Sequence, residues 1–291
     1  MDIRDELKIL MAEKKYSFQA VARSTALSPT TLNMWVNGSY NGNSEKIADI
    51  VNNFITREKE KSHKKTIPFV ETSIAMRVFE IARMCHINSE IGVCYGSAGL
   101  GKTVAAKEYT KNYHDSILIE TDPGFNTKTL LIELHKRLGL SAKGNIYTMT
   151  DEIIQKVQNS GRLVIIDEAE NLPHKALELV RRIHDKTEIG ILLIGMPALV
   201  ENLRGEKNQY EQLYSRVGVS KKLEKLNIND VGLILETLKQ EKNLALPYLE
   251  HSKGNTRVLS KLIKRAPRVA QINNTTVSTA VIEKTSRMLI V

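Results

Sequence analysis

The chain has 291 residues, 42% hydrophobic and 26% charged, the balance of a soluble globular protein with room for one to three domains. No apolar run approaches the roughly 18 residues a membrane helix needs, and two cysteines, Cys85 and Cys94, argue against a disulfide framework. The net charge of +9 is uneven: 11 basic against 8 acidic residues in 1–65, 18 against 19 in 66–220, and 13 against 6 in 221–291. Excess base at both ends points to a polyanionic partner such as nucleic acid, a solvated basic surface being the plainer alternative.

Residues 1–60 read as short helices. The polar start, Met1-Asp-Ile-Arg-Asp-Glu, has no apolar signal-peptide core, so a cytoplasmic location is expected. Ser17 opens one helix through Ser24, Ala26-Leu-Ser28 makes a turn, and Ser28 caps a second helix with Pro29 in its first turn, stopped by Asn37-Gly38. Ala22, Leu27, Leu32 and Val36 are spaced to pack the two together. This is the layout of a helix-turn-helix, in which Thr30, Thr31, Asn33 and Asn37 would face a major groove. A small helical bundle for protein contact is the alternative. Residues 57–65 are charged throughout and read as a linker, giving an N-terminal module over 1–62.

From residue 63 strands and helices alternate. A helix is expected over 73–87, from Ile74, Val78, Ile81, Ala82 and Cys85 at helical spacing. Strands follow at Ile91–Tyr95, Ser116–Glu120, Leu163–Ile166 and Ile189–Ile194, the last two apolar enough for a parallel sheet buried on both faces. Helices are expected after residue 103 to about Tyr113, over Lys128–Leu138 and over Asp151–Asn159. This alternation predicts an α/β domain over 63–222, a parallel sheet with helices on both faces. Beyond about 223 the strand signal stops, which predicts a helical C-terminal domain over 223–291.

Between the first strand and its helix stands Gly96-Ser97-Ala98-Gly99-Leu100-Gly101-Lys102-Thr103, a phosphate loop followed by Val104. Its glycines let backbone N–H groups curl around phosphates; Lys102 reaches the β- and γ-phosphates of ATP, and the Thr103 hydroxyl ligates Mg²⁺. The helix behind it turns its positive end to the phosphates. Leu163-Val-Ile-Ile-Asp-Glu168 supplies the complement, an apolar strand ending in acids. Asp167 would hold Mg²⁺ through water and Glu168 would polarise the attacking water.

These residues, with Phe69-Val-Glu-Thr72, Ala105-Ala-Lys-Glu-Tyr109, Asp167-Glu-Ala-Glu170, Ile189–Gly195 and Leu213-Tyr-Ser-Arg216, resemble the AAA+ ATPases, and among them the target-selection ATPases of transposing phages and transposons. The resemblance covers nearly the whole chain and implies a P-loop AAA+ sheet with a C-terminal helical lid. It implies ATP bound between subunits, with Arg216 as the arginine finger, Arg204 second, and Arg257 in Gly254-Asn-Thr-Arg257 reaching the γ-phosphate of its own chain. It also implies helical homo-oligomers on double-stranded DNA, without sequence preference, that recruit a DDE-type transposase. DNA contacts are expected from the loops of the α/β domain: Asn126, Thr127, Lys128, and Ser141–Asn145, with Lys143 and Asn145. Lys175, Arg181 and Arg182 come second, and Lys261, Lys264, Arg265 and Arg268 are candidates for DNA or transposase contact. One departure stands out: where this family has a polar sensor after the strand, the chain has Met196, which cannot donate a hydrogen bond and implies slow hydrolysis. An ATP-switched transcriptional regulator or a helicase loader is the rival reading.

Overall fold

The structure, a computed structural model, describes residues 2–62, 67–205 and 211–289. The chain forms two compact units, residues 1–66 and 67–291.

In the first unit α1 (Ile3–Lys14), α2 (Phe18–Thr25), α3 (Pro29–Val36) and α4 (Ser44–Ser62) enclose Leu7, Leu10, Val21, Leu32, Trp35, Val36, Ile47, Val51, Phe54 and Ile55. Ser17 and Ser28 cap α2 and α3 as expected, their hydroxyls accepting from the N–H groups of Ala20 and Thr31. Three residues join α2 to α3, with Ala26 in the left-handed region at φ 56°. The indole N–H of Trp35 donates to Ser44 Oγ at 2.8 Å, and the Arg4 guanidinium lies over the ring. The linker expected at 57–65 is corrected: α4 continues to Ser62, and 63–65 lie outside the described residues. The apolar series Ile47, Val51, Phe54 and Ile55 runs on to Glu58, which is buried and accepts from the Tyr16 hydroxyl. A helix face anchored so close to its end carries the charged turns with it.

The second unit is built on five parallel strands, β1 (Ile91–Tyr95), β2 (Ser116–Glu120), β3 (Leu163–Asp167), β4 (Gly190–Gly195) and β5 (Val217–Lys222), in the order β2-β3-β4-β1-β5. Alternation along the strands sorts side chains to two faces. Cys94, Leu163, Ile165, Leu192 and Ile194 meet α5 (Ser73–Asn88) and α6 (Lys102–Asn112). Ile91, Val93, Val164, Ile166, Ile191 and Leu193 meet α7 (Thr127–Leu138), α8 (Ile146–Val157), α9 (His174–Thr187) and α10 (Ala198–Arg204). Both faces are covered, as buried parallel strands require. Two expectations change. α8 starts at Ile146 rather than 151, because Asn145 caps it by accepting from Thr148 N–H. β5 had no apolar signal: apart from Val217 and Val219 it is glycine and polar residues, sufficient for a strand that pairs along one side only, with β1.

A short α11 (Glu211–Tyr214) precedes β5, and α12 (Ile228–Thr237), α13 (Ala245–Ser252), α14 (Thr256–Ile272) and α15 (Thr279–Ser286) complete the chain. The apolar faces of α12 to α15, including Val231, Leu235, Tyr248, Leu259, Leu262 and Ile282, join the α5–α6 core. No helix among the described residues is long and apolar enough to cross a membrane.

Candidate nucleotide-binding site

The phosphate loop leaves the carboxyl end of β1, where the Gly96 N–H donates to the Gly195 carbonyl at the end of β4. This is the end of an open parallel sheet at which ligands bind. Gly99 and Gly101 have φ of +79° and +93°, a region that any side chain would strain, and Gly101 precedes the first turn of α6. The loop is therefore a curl feeding a helix N-terminus, the arrangement that receives phosphate. Leu100 anchors it in the core, whereas Val104 is exposed.

Lys102 turns back across the loop, its Nζ donating to the carbonyls of Gly96 at 2.7 Å and Ser97 at 2.8 Å. Burial lowers its pKa, while Asp167, Glu170 and Glu168 hold the ammonium charged in that order of strength and Arg257 opposes them. The Thr103 hydroxyl donates to Asp167 Oδ2 at 2.5 Å, and Asp167 Oδ1 accepts from the Glu168 N–H. Asp167 is 1% exposed. Burial raises its carboxyl pKa, and the bonds from Thr103 and Glu168 with the Lys102 charge pull it partly back. Glu168 has φ 54° and begins a 3-10 turn, Ala169–Asn171. Thr121, after β2, donates to the carbonyls of Asp167 and Glu168, fixing that turn. A hydroxyl and a lysine at the phosphate loop, with a desolvated carboxylate at the end of β3, fit a nucleoside triphosphate with its Mg²⁺.

The C-terminal helices close on the same loop. Asn255 Nδ2 donates to the Ala98 carbonyl at 2.9 Å, the Thr256 hydroxyl to the Leu100 carbonyl at 3.0 Å, and the Arg257 N–H to the Gly99 carbonyl at 3.1 Å. Of these three, the sequence pointed only to Arg257. Asn255 and Thr256 show themselves in sequence as nothing more than a helix cap, which Asn255 also is.

The remaining candidates fall elsewhere. Arg216 precedes β5, whose first residue pairs with Ile91 at the start of β1, so it stands at the end of the sheet opposite the phosphate loop of its own chain. Five residues of strand separate the two ends, about 16 Å. It is held there by Asp185 at 3.1 Å. Arg204 donates to the Tyr214 hydroxyl and lies over its ring. Asn126 and Asn145 spend their side-chain oxygens capping α7 and α8. Thr127, Lys128 and Lys143 are not brought into the phosphate-loop site, and Lys128 and Lys143 are exposed. Arg181 pairs with Glu178 and Asp185, as a helix-surface charge does. In the first unit Thr30 and Asn33 are exposed, Asn33 accepting from Asn37, while the Thr31 hydroxyl is engaged with Ser28. Met196 follows β4 and is 41% exposed.

Residues 86–203 match the family model of an AAA domain. Across most of its length the chain is similar to two phage proteins described as ATP-dependent target DNA activator B. The Escherichia phage Mu protein is 27% identical over 92% of this chain and 89% of its own length, and the phage D108 protein 28% identical over 86% of each. The fold is shared with the Aeropyrum pernix ORC2 protein, solved in ADPNP and ADP complexes, at a TM-score of 0.60 and 18% identity over 77% of this chain and 69% of that one. Residues 86–203 thus match an AAA domain within an α/β fold of the P-loop type, and over most of its length the chain resembles the ATP-dependent target DNA activators B of two phages.

Proposed function

We propose that the protein is an ATPase that binds double-stranded DNA without sequence preference when ATP is bound, assembles as a helical homo-oligomer on it, and recruits and activates a DDE-type transposase. The observation that carries this is the closure of the C-terminal helices on the phosphate loop through Asn255, Thr256 and Arg257. A nucleotide held by the loop would be felt directly by a second layer of the molecule, which is what an ATP-controlled assembly needs.

Lys102 would exchange the carbonyls of Gly96 and Ser97 for phosphate oxygens, and the Arg257 side chain would approach the γ-phosphate from the same chain. Mg²⁺, held by Thr103 and by Asp167 through water, would neutralise phosphate charge. Glu168 would orient and polarise the attacking water. Arg216 lies too far from its own phosphate loop to serve it, so it would act as a finger on the site of a neighbouring copy, which makes oligomerisation a condition of turnover. Met196 offers no hydrogen bond at the end of β4, so turnover would be slow, below about 1 s⁻¹. The DNA surface would comprise Asn126, Thr127, Lys128, Lys143 and Asn145, acting on phosphates and not bases. The first unit, as a helix-turn-helix with Thr30, Thr31 and Asn33, would add weak contacts that sum along a filament. The exposed Lys261, Lys264 and Arg265 of α14, with Arg268, are offered to DNA or transposase.

Electron microscopy with DNA and a non-hydrolysable ATP analogue tests this reading. Continuous helical assemblies that vanish in Lys102→Ala and Arg216→Ala support it. Neither filament nor ring, or one discrete protected site on DNA, would favour a sequence-specific regulator instead.

A further inference from the structure

Glu170 lies in the 3-10 turn after β3, its backbone held by Asn202, whose Nδ2 donates to the Glu170 carbonyl at 3.0 Å. Its Oε2 is buried and, among the described residues, accepts no hydrogen bond. The carboxylate is pressed against the end of β4: a Cβ placed on Gly195 would stand 2.3 Å from Oε2. The carbonyl of this same Gly195 accepts from Gly96, the first residue of the phosphate loop. The carboxylate therefore sits in the seam between the acids of β3 and the loop of β1. Lys102 registers its charge there more strongly than that of Glu168.

A buried carboxylate oxygen left without a donor is costly and calls for one. An ionised carboxylate only accepts, so its partner must donate: a water or a cation. Lys102 gives its hydrogen bonds to Gly96 and Ser97 and would give them to phosphate with nucleotide bound. Directly after Gly195 stands Met196, which can neither accept from nor donate to a water in any useful way. Gly195 has no left-handed backbone to require glycine; a side chain there would meet the Glu170 carboxylate and, at 3.0 Å, Leu199, so one of them would have to shift.

We infer that Glu170 is a water-positioning residue of the nucleotide site: its Oε2 accepts a hydrogen bond from the attacking water while Glu168 polarises it, and the missing side chain of Gly195 keeps that carboxylate in place. This inference rests on the ATPase reading above. Glu170 thus occupies from β3 the polar position that Met196 leaves vacant at the end of β4. Correct placement of a reacting group is worth on the order of a hundredfold in rate.

The test measures steady-state ATP hydrolysis and binding of a fluorescent ATP analogue for wild type, Glu170→Gln, Gly195→Ala and the double variant, with Glu168→Gln as control. Expected for Glu170→Gln is a kcat lower by about tenfold or more, with analogue affinity and KM within about twofold of wild type. Gly195→Ala, which displaces the same carboxylate, should lose turnover similarly, and the double variant should be no slower than the slower single one. Wild-type kcat in Glu170→Gln, a loss of analogue affinity that matches the loss of turnover, or additive losses in the double variant would each overturn the assignment while leaving the ATPase reading intact. If wild type and Glu168→Gln both bind the analogue and hydrolyse nothing, the ATPase reading falls and this assignment with it.

Discussion

Asn255 reaches from the start of α14 to the middle of the phosphate loop, its Nδ2 donating to the Ala98 carbonyl at 2.9 Å while its Oδ1 caps α14 through the N–H groups of Arg257 and Val258. One side chain thus ties the nucleotide loop to the C-terminal helices, 157 residues further along the chain. The two roles can be separated. Asn255→Ser keeps a capping oxygen but is too short to span to Ala98, so it should weaken ATP-analogue binding severalfold with a small change in melting temperature. Asn255→Ala should lose the cap too, about 1 kcal/mol, or roughly 2–4 °C in Tm for a unit of this size. Calorimetry and fluorescence titration on the same samples check both.

A second long-range tie involves Asp230, which is 2% exposed. Its carboxylate accepts from the Ser73 N–H at 2.6 Å, the Ser73 hydroxyl at 2.7 Å and the Asn227 N–H at 3.0 Å. It serves the N-termini of α5 and α12 at once, where a negative charge opposes the helix dipoles favourably. Asp230→Ala should leave the half-buried Ser73 N–H without its partner, remove the bond to the Asn227 N–H, and cost about 1–3 kcal/mol, read as a lower midpoint in urea unfolding with the slope unchanged. Asp230→Asn, which keeps an acceptor, should cost clearly less.

Asp167 is predicted to trade stability for function. Burial raises its carboxyl pKa above the unfolded value, so the folded state holds the proton more tightly and charging the group at neutral pH destabilises the free protein. Stability from this group is present at low pH and is lost as pH rises through the raised folded pKa. Asp167→Asn should therefore raise the Tm of the nucleotide-free protein near pH 7, by about 2–4 °C per kcal/mol relieved, and the gain should shrink as pH falls and wild-type Asp167 protonates. The same variant should lose Mg²⁺-dependent hydrolysis. A variant less stable than wild type at every pH would show that the Thr103 and Glu168 bonds matter more than the buried charge.

Cys85 and Cys94 are free, fully buried thiols, each pushed up to about 12 by burial, with Cys94 also raising Cys85. A thiol so disposed offers almost no thiolate. Neither should react with iodoacetamide in the folded protein at pH 8 over hours, and both should react on unfolding in guanidinium, as counted by mass spectrometry.

The sequence made the sheet legible where strands are apolar on both faces, so four strands and the phosphate loop stand where their patterns place them. It concealed β5, whose glycine and lysines suit an edge strand but carry no hydrophobic period. It also misled at 57–62, where charge read as linker although Glu58 is buried against Tyr16. Within the site, Lys102, Thr103 and Asp167 follow from spacing because phosphate chemistry fixes their residue types. Asn255, Thr256 and Glu170 do not, since their parts depend on which loop carbonyl or strand end folding brings against them. Arg216 is a candidate by its neighbours in sequence, and the structure adds that its own phosphate loop is at the far end of the sheet.

The proposed function requires that ATP switch on DNA binding that ignores sequence. Fluorescence anisotropy of two labelled duplexes of unrelated sequence, with and without a non-hydrolysable ATP analogue, tests it most directly. Nucleotide-dependent binding of equal strength to both duplexes is expected, absent in Lys102→Ala and falling steeply with added salt. Tight binding without nucleotide, or binding to only one of the two sequences, would contradict it.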